Sequence, residues 1–362
     1  MKKTIYILIL TIVVISSLSF PSYAGEYEEI WELTDEQTRE YLNDIGIDEV
    51  NLEELFEVTP LRILKFITEL AFKKGITIGK EIIKINAVFI ISSIAMSFLK
   101  ENNRIKNIIY FVSTLVILSF IIKPITRMLI DTVTGIKTST IFIDSYLPIM
   151  TSIIVASRNP ALALTYNSFS IYISVLISNF ADKIFLPIIS SMLAFAVLSS
   201  FSTEEYKNKI IQNIRKLLIT VLSFASTLFT GILTTKSILA SSSDSVAARG
   251  IKFISGTFIP VVGGNVGDAI SSVFSSFVLM KNTIGVFIIV VILVINIPII
   301  VEMLIWYFVL QFCSIISSLF GVPYITEIFD NMSSIISLLN IIMFFITFIL
   351  TISTGVIIIF GK

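Results

Sequence analysis

Long apolar runs dominate the chain, at about 85–99, 108–130, 139–157, 161–181, 184–202, 216–240, 251–280, 284–320 and 334–360. Several reach or approach the ~20 residues needed to cross a bilayer as a helix. Some contain Pro, Gly or Asn and read as bent or re-entrant segments, so roughly six to nine crossings are expected. The pattern predicts an all-α polytopic membrane protein, a helical bundle preceded by a small exported acidic helical region. Composition agrees. Hydrophobic residues make up 55% of the 362 and charged residues 14%, with a mean hydropathy of +0.93. Soluble domains carry about a quarter charged residues.

The amino end has its own logic. Lys2 and Lys3 precede an apolar stretch from Ile5 to Ile15, and small residues lead to Ala24. This reads as a signal peptide over 1–24 cleaved after Ala24, with an uncleaved signal anchor as the alternative. Residues 25–60 then hold 13 of the 26 acids against one base, Arg39. Thr34-Asp35-Glu36 suggests a short helix with an acidic first turn. The region reads as a solvated or partly disordered arm, or as a docking arm for a basic partner. Over 61–84 the balance reverses, with the bases Arg62, Lys65, Lys73, Lys74, Lys80 and Lys84, and Arg62, Lys65, Glu69, Lys73, Lys80 and Lys84 fall on one helical stripe. That stretch predicts an amphipathic basic helix at the membrane surface or against a partner.

Juxtamembrane charge orients the rest. Lys100, Arg104 and Lys106 form one basic cluster and Lys207, Lys209, Arg215 and Lys216 another. Both are expected on the cytoplasmic side. The prolines suggest an internal duplication. Tyr146-Leu147-Pro148-Ile149-Met150 resembles Phe258-Ile259-Pro260-Val261-Val262, and Leu186-Pro187-Ile188-Ile189 resembles Ile297-Pro298-Ile299-Ile300. The offsets are 112 and 111 residues. Apolar sequences match one another easily, so chance agreement is the alternative. The expected organisation is a first transmembrane segment at 85–104, membrane repeats at 105–213 and 214–324, and a C-terminal segment at 325–362. Repeats with broken helices at their interface are a recurrent transporter and channel design.

Soluble-enzyme chemistry is hard to find. The chain has no histidine and one cysteine, Cys313. That removes histidine triads, histidine metal sites and intrachain disulfides. No phosphate-binding loop, paired-carboxylate site or intramembrane-protease motif is present. Neither enzymatic activity nor a cofactor is expected, and zero net charge implies no general attraction to nucleic acid.

The remaining functional candidates are polar groups inside apolar runs. Glu302 lies four residues past Pro298 and needs a polar cavity or a packing partner. Lys123, Arg127 and Asp131 are spaced by four and can pair along one helix face. The segment Pro260, Gly263, Gly264, Asn265, Gly267 and Asp268, with its counterpart at Pro148, predicts a broken or re-entrant core segment. Pro260 removes a backbone donor, and Gly263 and Gly267 form a G-x-x-x-G that permits close helix packing. A plain loop at the membrane edge is the competing reading.

One block carries a family resemblance. Ala247-Ala248-Arg249-Gly250-Ile251-Lys252-Phe253 leads to Pro260-Val261-Val262-Gly263-Gly264, and then to Leu279-Met280-Lys281-Asn282-Thr283-Ile284-Gly285. This resembles the stage III sporulation protein AE family of endospore-forming bacteria. The resemblance implies a membrane subunit of the channel or secretion complex that links mother cell and forespore, seated in the outer forespore membrane with its amino-terminal region exported. It implies partners: a secretion-type ATPase, ring-forming membrane-anchored proteins, and a YidC-type insertase for biogenesis. The competing readings are a stand-alone secondary transporter of a small solute and a non-conducting scaffold for the complex.

Overall fold

The structure is a computed structural model that describes residues 30–50, 52–98, 103–157, 160–201, 210–225 and 263–360, with isolated helical residues between 227 and 235. Ala24 and Pro260 lie outside the described residues. Among the described residues there are helices and turns and no strand. Two short helices come first, α1 (Glu36–Asp44) and α2 (Leu52–Glu57). Four long ones follow or flank the rest: α3 (Pro60–Phe98), α4 (Asn103–Ala156), α7 (Gly263–Leu319) and α8 (Pro323–Phe360). Between α4 and α7, α5 (Pro160–Phe180) runs through a π-helical turn, Ala181–Phe185, into α6 (Leu186–Ser199), and residues 210–225 are also helical. Five helical stretches among the described residues are long and apolar enough to cross a membrane: Leu61–Phe98, Arg104–Ala156, Pro160–Ser199, Asn282–Leu319 and Pro323–Gly355.

The helices are longer than the apolar runs suggest. Runs 108–130 and 139–157 belong to one helix, α4, which has 54 residues and passes through Pro124 and Pro148. At 1.5 Å per residue it is about 80 Å long, against a hydrocarbon core of ~30 Å. The amphipathic stretch 61–84 and the first apolar segment likewise form the single helix α3. The polar breaks at 131–138 and 182–183 therefore lie inside continuous helical stretches. Backbone hydrogen bonding explains why the helices do not stop there: continuing the helix pairs the N–H and C=O groups, apart from the carbonyls opposite the internal prolines, and a loop at that depth would leave many more unpaired.

Three layers of contacts fix how the long helices stand. At one end, Ser93 donates to the Phe320 carbonyl at 3.3 Å, and the Tyr110 hydroxyl donates to the Ser200 carbonyl. The rings of Tyr110 and Tyr324 lie 4.6 Å apart there. At the other end, the Tyr146 hydroxyl hydrogen-bonds the Tyr166 hydroxyl at 2.9 Å and Thr354 at 3.2 Å. Between them, α4 meets α7 and α8 closely. A Cβ placed on Gly135 would lie 2.5 Å from Ile299 Cδ1 and 2.9 Å from Met343 Cε. Asn296, on α7, donates to Ser139 at 3.1 Å beside this contact.

Tight turns join the elements. The α7–α8 hairpin turns on Gly321, whose φ of 68° suits glycine. Its N–H donates to the Ser318 carbonyl and that of Val322 to Ser317, which closes the end of α7. Helix α1 starts at Asp35, whose carboxylate accepts from the Thr38 N–H at 2.9 Å and the Thr38 hydroxyl at 2.8 Å. It ends at Gly46, φ 84°. The acidic region thus has a core of its own: Ile30, Leu42, Ile47 and Leu55 are buried, and Tyr41 packs edge-on to Phe66 of α3 at 5.7 Å.

The Gly135 contact gives a direct test. Gly135→Val should destabilise the purified protein by about 1–3 kcal/mol through overpacking. A Cβ on Gly75 of α3 would meet no heavy atom within 4 Å, so Gly75→Ala should be neutral or stabilising. Thermal unfolding in detergent distinguishes the two.

Candidate functional site

Charged residues are spread along the long helices, and three of their ion pairs mark one band in the middle part of the bundle. Arg127 lies 17 residues from Tyr110 and 19 from Tyr146, about 26–28 Å from each end layer. In this band Lys74 of α3 forms an ion pair with Glu302 of α7. Arg127 pairs with Asp131 within α4 at 3.5 Å, and Lys137 of α4 with Asp182 of the π-turn at 2.9 Å. Two of the pairs join separate elements, α3 to α7 and α4 to the α5–α6 junction, and the third lies along α4.

The Lys74–Glu302 pair is the most enclosed of them. The two side chains are 26% and 19% exposed, whereas Arg127 is 74% exposed. Lys74 points about a third of a turn away from the stripe of Arg62, Lys65, Lys73, Lys80 and Lys84, and Phe72 and Ile76 are exposed on either side of it in sequence. Glu302 follows Pro298 by one turn in α7. Proline removes one backbone donor and strains the carbonyl four residues earlier, so a polar setting suits this turn.

Two adjoining cavities surround the pair. One, of about 490 Å³, is bounded by Glu40, Tyr41 and Asp44 of α1, Lys73 and Thr77 of α3, and Arg127. The other, of about 410 Å³, reaches along α4 past Asp131, Thr134 and Gly135 to Ile295 and Pro298 of α7. Both share Tyr41, Lys74, Arg127 and Glu302. The roof is the acidic region itself, since α1 lines both cavities and Trp31 packs on Phe287 of α7 with ring centroids 6.0 Å apart. The arrangement offers donors and acceptors of both signs in a space walled by helices. It can bind water and polar groups, and it can couple movement of α1 to α7. Among the described residues no group of His, Cys, Asp or Glu is placed to hold a metal ion.

The sequence-derived candidates are distributed unevenly across this site. Glu302 lies at its centre. Arg127 and Asp131 pair as their spacing suggests, while Lys123 is exposed one turn away. Pro148 lies inside α4, which continues through it, and the Ser152 hydroxyl donates to its carbonyl at 2.9 Å. Gly263, Gly264, Asn265, Gly267 and Asp268 form the first turns of α7; their side-chain surroundings lie outside the described residues. Lys74 is the residue that local reading missed. It is one of the six bases of 61–84 but lies off the stripe that the other five share, and its partner is 228 residues away. Its signal was indirect: Glu302 needed a polar cavity or a packing partner, and a basic helix was present elsewhere in the chain.

Comparison with known proteins decides the family. Residues 47–361 match the family described as stage III sporulation protein AE. The chain belongs to this family. A relative in Bacillus subtilis (strain 168), named Stage III sporulation protein AE, is 29% identical over 153 residues, which is 42% of this chain and 38% of the relative's length. No solved structure matches. The family is one of sporulation proteins, and the five long apolar helices of this chain are those of a multi-pass membrane protein.

The ion pair makes a quantitative prediction. Lys74→Met or Glu302→Met alone should destabilise the protein by up to about 3–5 kcal/mol, because each leaves an enclosed charge unpaired. The double substitution should recover much of that loss. Denaturation of the four proteins as a double-mutant cycle reads the coupling directly.

Proposed function

We propose that this protein is a membrane subunit of the complex that joins mother cell and forespore during endospore formation. In this reading it sits in the outer forespore membrane with the acidic region on the exported side. The family match over 47–361 carries the proposal. The fold adds support of a different kind. The acidic helices α1 and α2 pack on the bundle beside an aqueous-sized polar cavity, which suits a subunit that receives partners on that face. Arg104 and Lys106 open α4 at the end of the bundle where Tyr110, Ser200 and Phe320 meet, and Lys207 and Lys209 of the second basic cluster follow Ser200 in the chain. Cytoplasmic loops carry bases in this way.

The partners in this reading are a secretion-type ATPase at the cytoplasmic end and ring-forming membrane-anchored proteins on the exported side. A YidC-type insertase would assist insertion, because ion-paired residues halfway along apolar helices are costly to insert singly. The segment Pro260, Gly263, Gly264 and Gly267 would serve as a close-packing surface for a neighbouring helix.

The test is made in an endospore former whose only copy of the family member is this chain. Deletion should halt development during or after engulfment and abolish heat-resistant spores. Glu302→Gln and Gly264→Leu should lower the heat-resistant count while the protein still reaches the membrane at wild-type abundance. A deletion strain that completes engulfment and keeps forespore gene expression normal would overturn the reading.

A further inference from the structure

A second polar site lies away from the charge band, where residues 210–225 meet α6 and α8. Arg215 turns inward there. Its Nη2 donates to the Ser337 hydroxyl of α8 at 2.8 Å, and its Nε is buried with no partner. One turn along the same face of α8 stands Asn340, 5% exposed, with neither its amide nitrogen nor its amide oxygen hydrogen-bonded. Among the described residues no carboxylate pairs with Arg215.

These groups are costly as they stand. A guanidinium stays charged at any relevant pH, and unsatisfied donors in an apolar bundle carry the full desolvation penalty. Both orphaned donors would be answered by one anion with several acceptor oxygens, and Arg binds carboxylate and phosphate through paired hydrogen bonds.

An apolar slot adjoins the site. It measures about 490 Å³ and is lined by Pro187, Ile188, Met192 and Phe195 of α6 with Ile211 and Ile214. Arg215 follows Ile214 directly and stands one turn beyond Ile211. Leu198 and Leu217, on the same two helices, are exposed large apolar side chains. A single ligand with an anionic head beside an acyl chain matches both parts.

We infer that Arg215, Ser337 and Asn340 bind the phosphate of an anionic phospholipid, with one acyl chain in the slot between α6 and residues 210–214. Basic pockets between transmembrane helices bind anionic head groups by this chemistry.

The full-length protein, purified in detergent, tests the proposal through its thermal midpoint and through native mass spectrometry of retained lipid. Phosphatidylglycerol should raise the midpoint by several degrees more than phosphatidylcholine at equal mole fraction, as expected for a ligand that binds only the folded state. Arg215→Gln should abolish that difference and Asn340→Leu should reduce it. Lys216→Gln, the neighbouring base, should leave it unchanged. Ile210→Trp, at the mouth of the slot with Arg215 intact, should lower lipid retention even if Arg215→Gln proves too unstable to purify. Inorganic phosphate alone should give no comparable shift. The proposal fails if Arg215→Gln and Ile210→Trp both retain the lipid at wild-type occupancy, if phosphatidylcholine stabilises equally, or if free phosphate reproduces the effect.

Discussion

A lysine ammonium and a glutamate carboxylate can share the middle of an apolar bundle only as a pair. Each alone would cost several kcal/mol of lost hydration. Lys74 and Glu302 meet that condition, and their meeting fixes the rest of the midsection. It sets the level of α3 against α7, 228 residues apart in sequence. It leaves Arg127 and Asp131 to pair beside it on α4. It also explains why the acidic α1 can lie close by without a core of counter-charges of its own: Lys73, Lys74 and Arg127 face the cavity that α1 roofs.

The same band reconciles two features that otherwise conflict. The helices are too long for one hydrocarbon layer, and they are apolar for most of their length. A polar level halfway along α4 and at the α5–α6 junction divides each of these into two stretches comparable to the ~30 Å of a bilayer core, and in α7 it falls at Glu302, 17 residues from the end of the helix at Leu319. The π-turn at Ala181–Phe185 belongs to this level, since Asp182 within it reaches Lys137. Such turns are frequent at functional positions in helices. Close packing then continues from the band inward. Gly135 admits Ile299 and Met343, and Asn296 finds Ser139, so the polar level merges directly into a tightly packed core.

Much of this was legible in the sequence, and the remainder was hidden for physical reasons. The helical class followed from apolar run length alone. The start of α1 followed from Asp35, because capping is local chemistry. The Arg127–Asp131 pair followed from a four-residue spacing, which is also local. Glu302 announced itself as a charge without a local partner. Its partner could not be read, because no spacing rule connects residues on separate helices. Gly135 was equally silent: a glycine in an apolar run looks the same whether it faces lipid, as Gly75 faces open space, or receives two side chains. The gap at 131–138 separated two apolar runs, because sequence alone does not distinguish the end of a crossing from polar residues within a longer helix.

The central claim is that a water-accessible polar level crosses the bundle midway, bounded by Lys74, Arg127 and Glu302. Cysteine accessibility measures it directly, in a Cys313→Ser background so that the native thiol is silent. Thr134→Cys, in the cavity wall, and Ile117→Cys, fully buried on the same helix, are each exposed to a polar maleimide in proteoliposomes permeabilised from both sides. The account predicts labelling at 134 at a rate near that of an aqueous loop and protection at 117. Equal protection of both positions would contradict it.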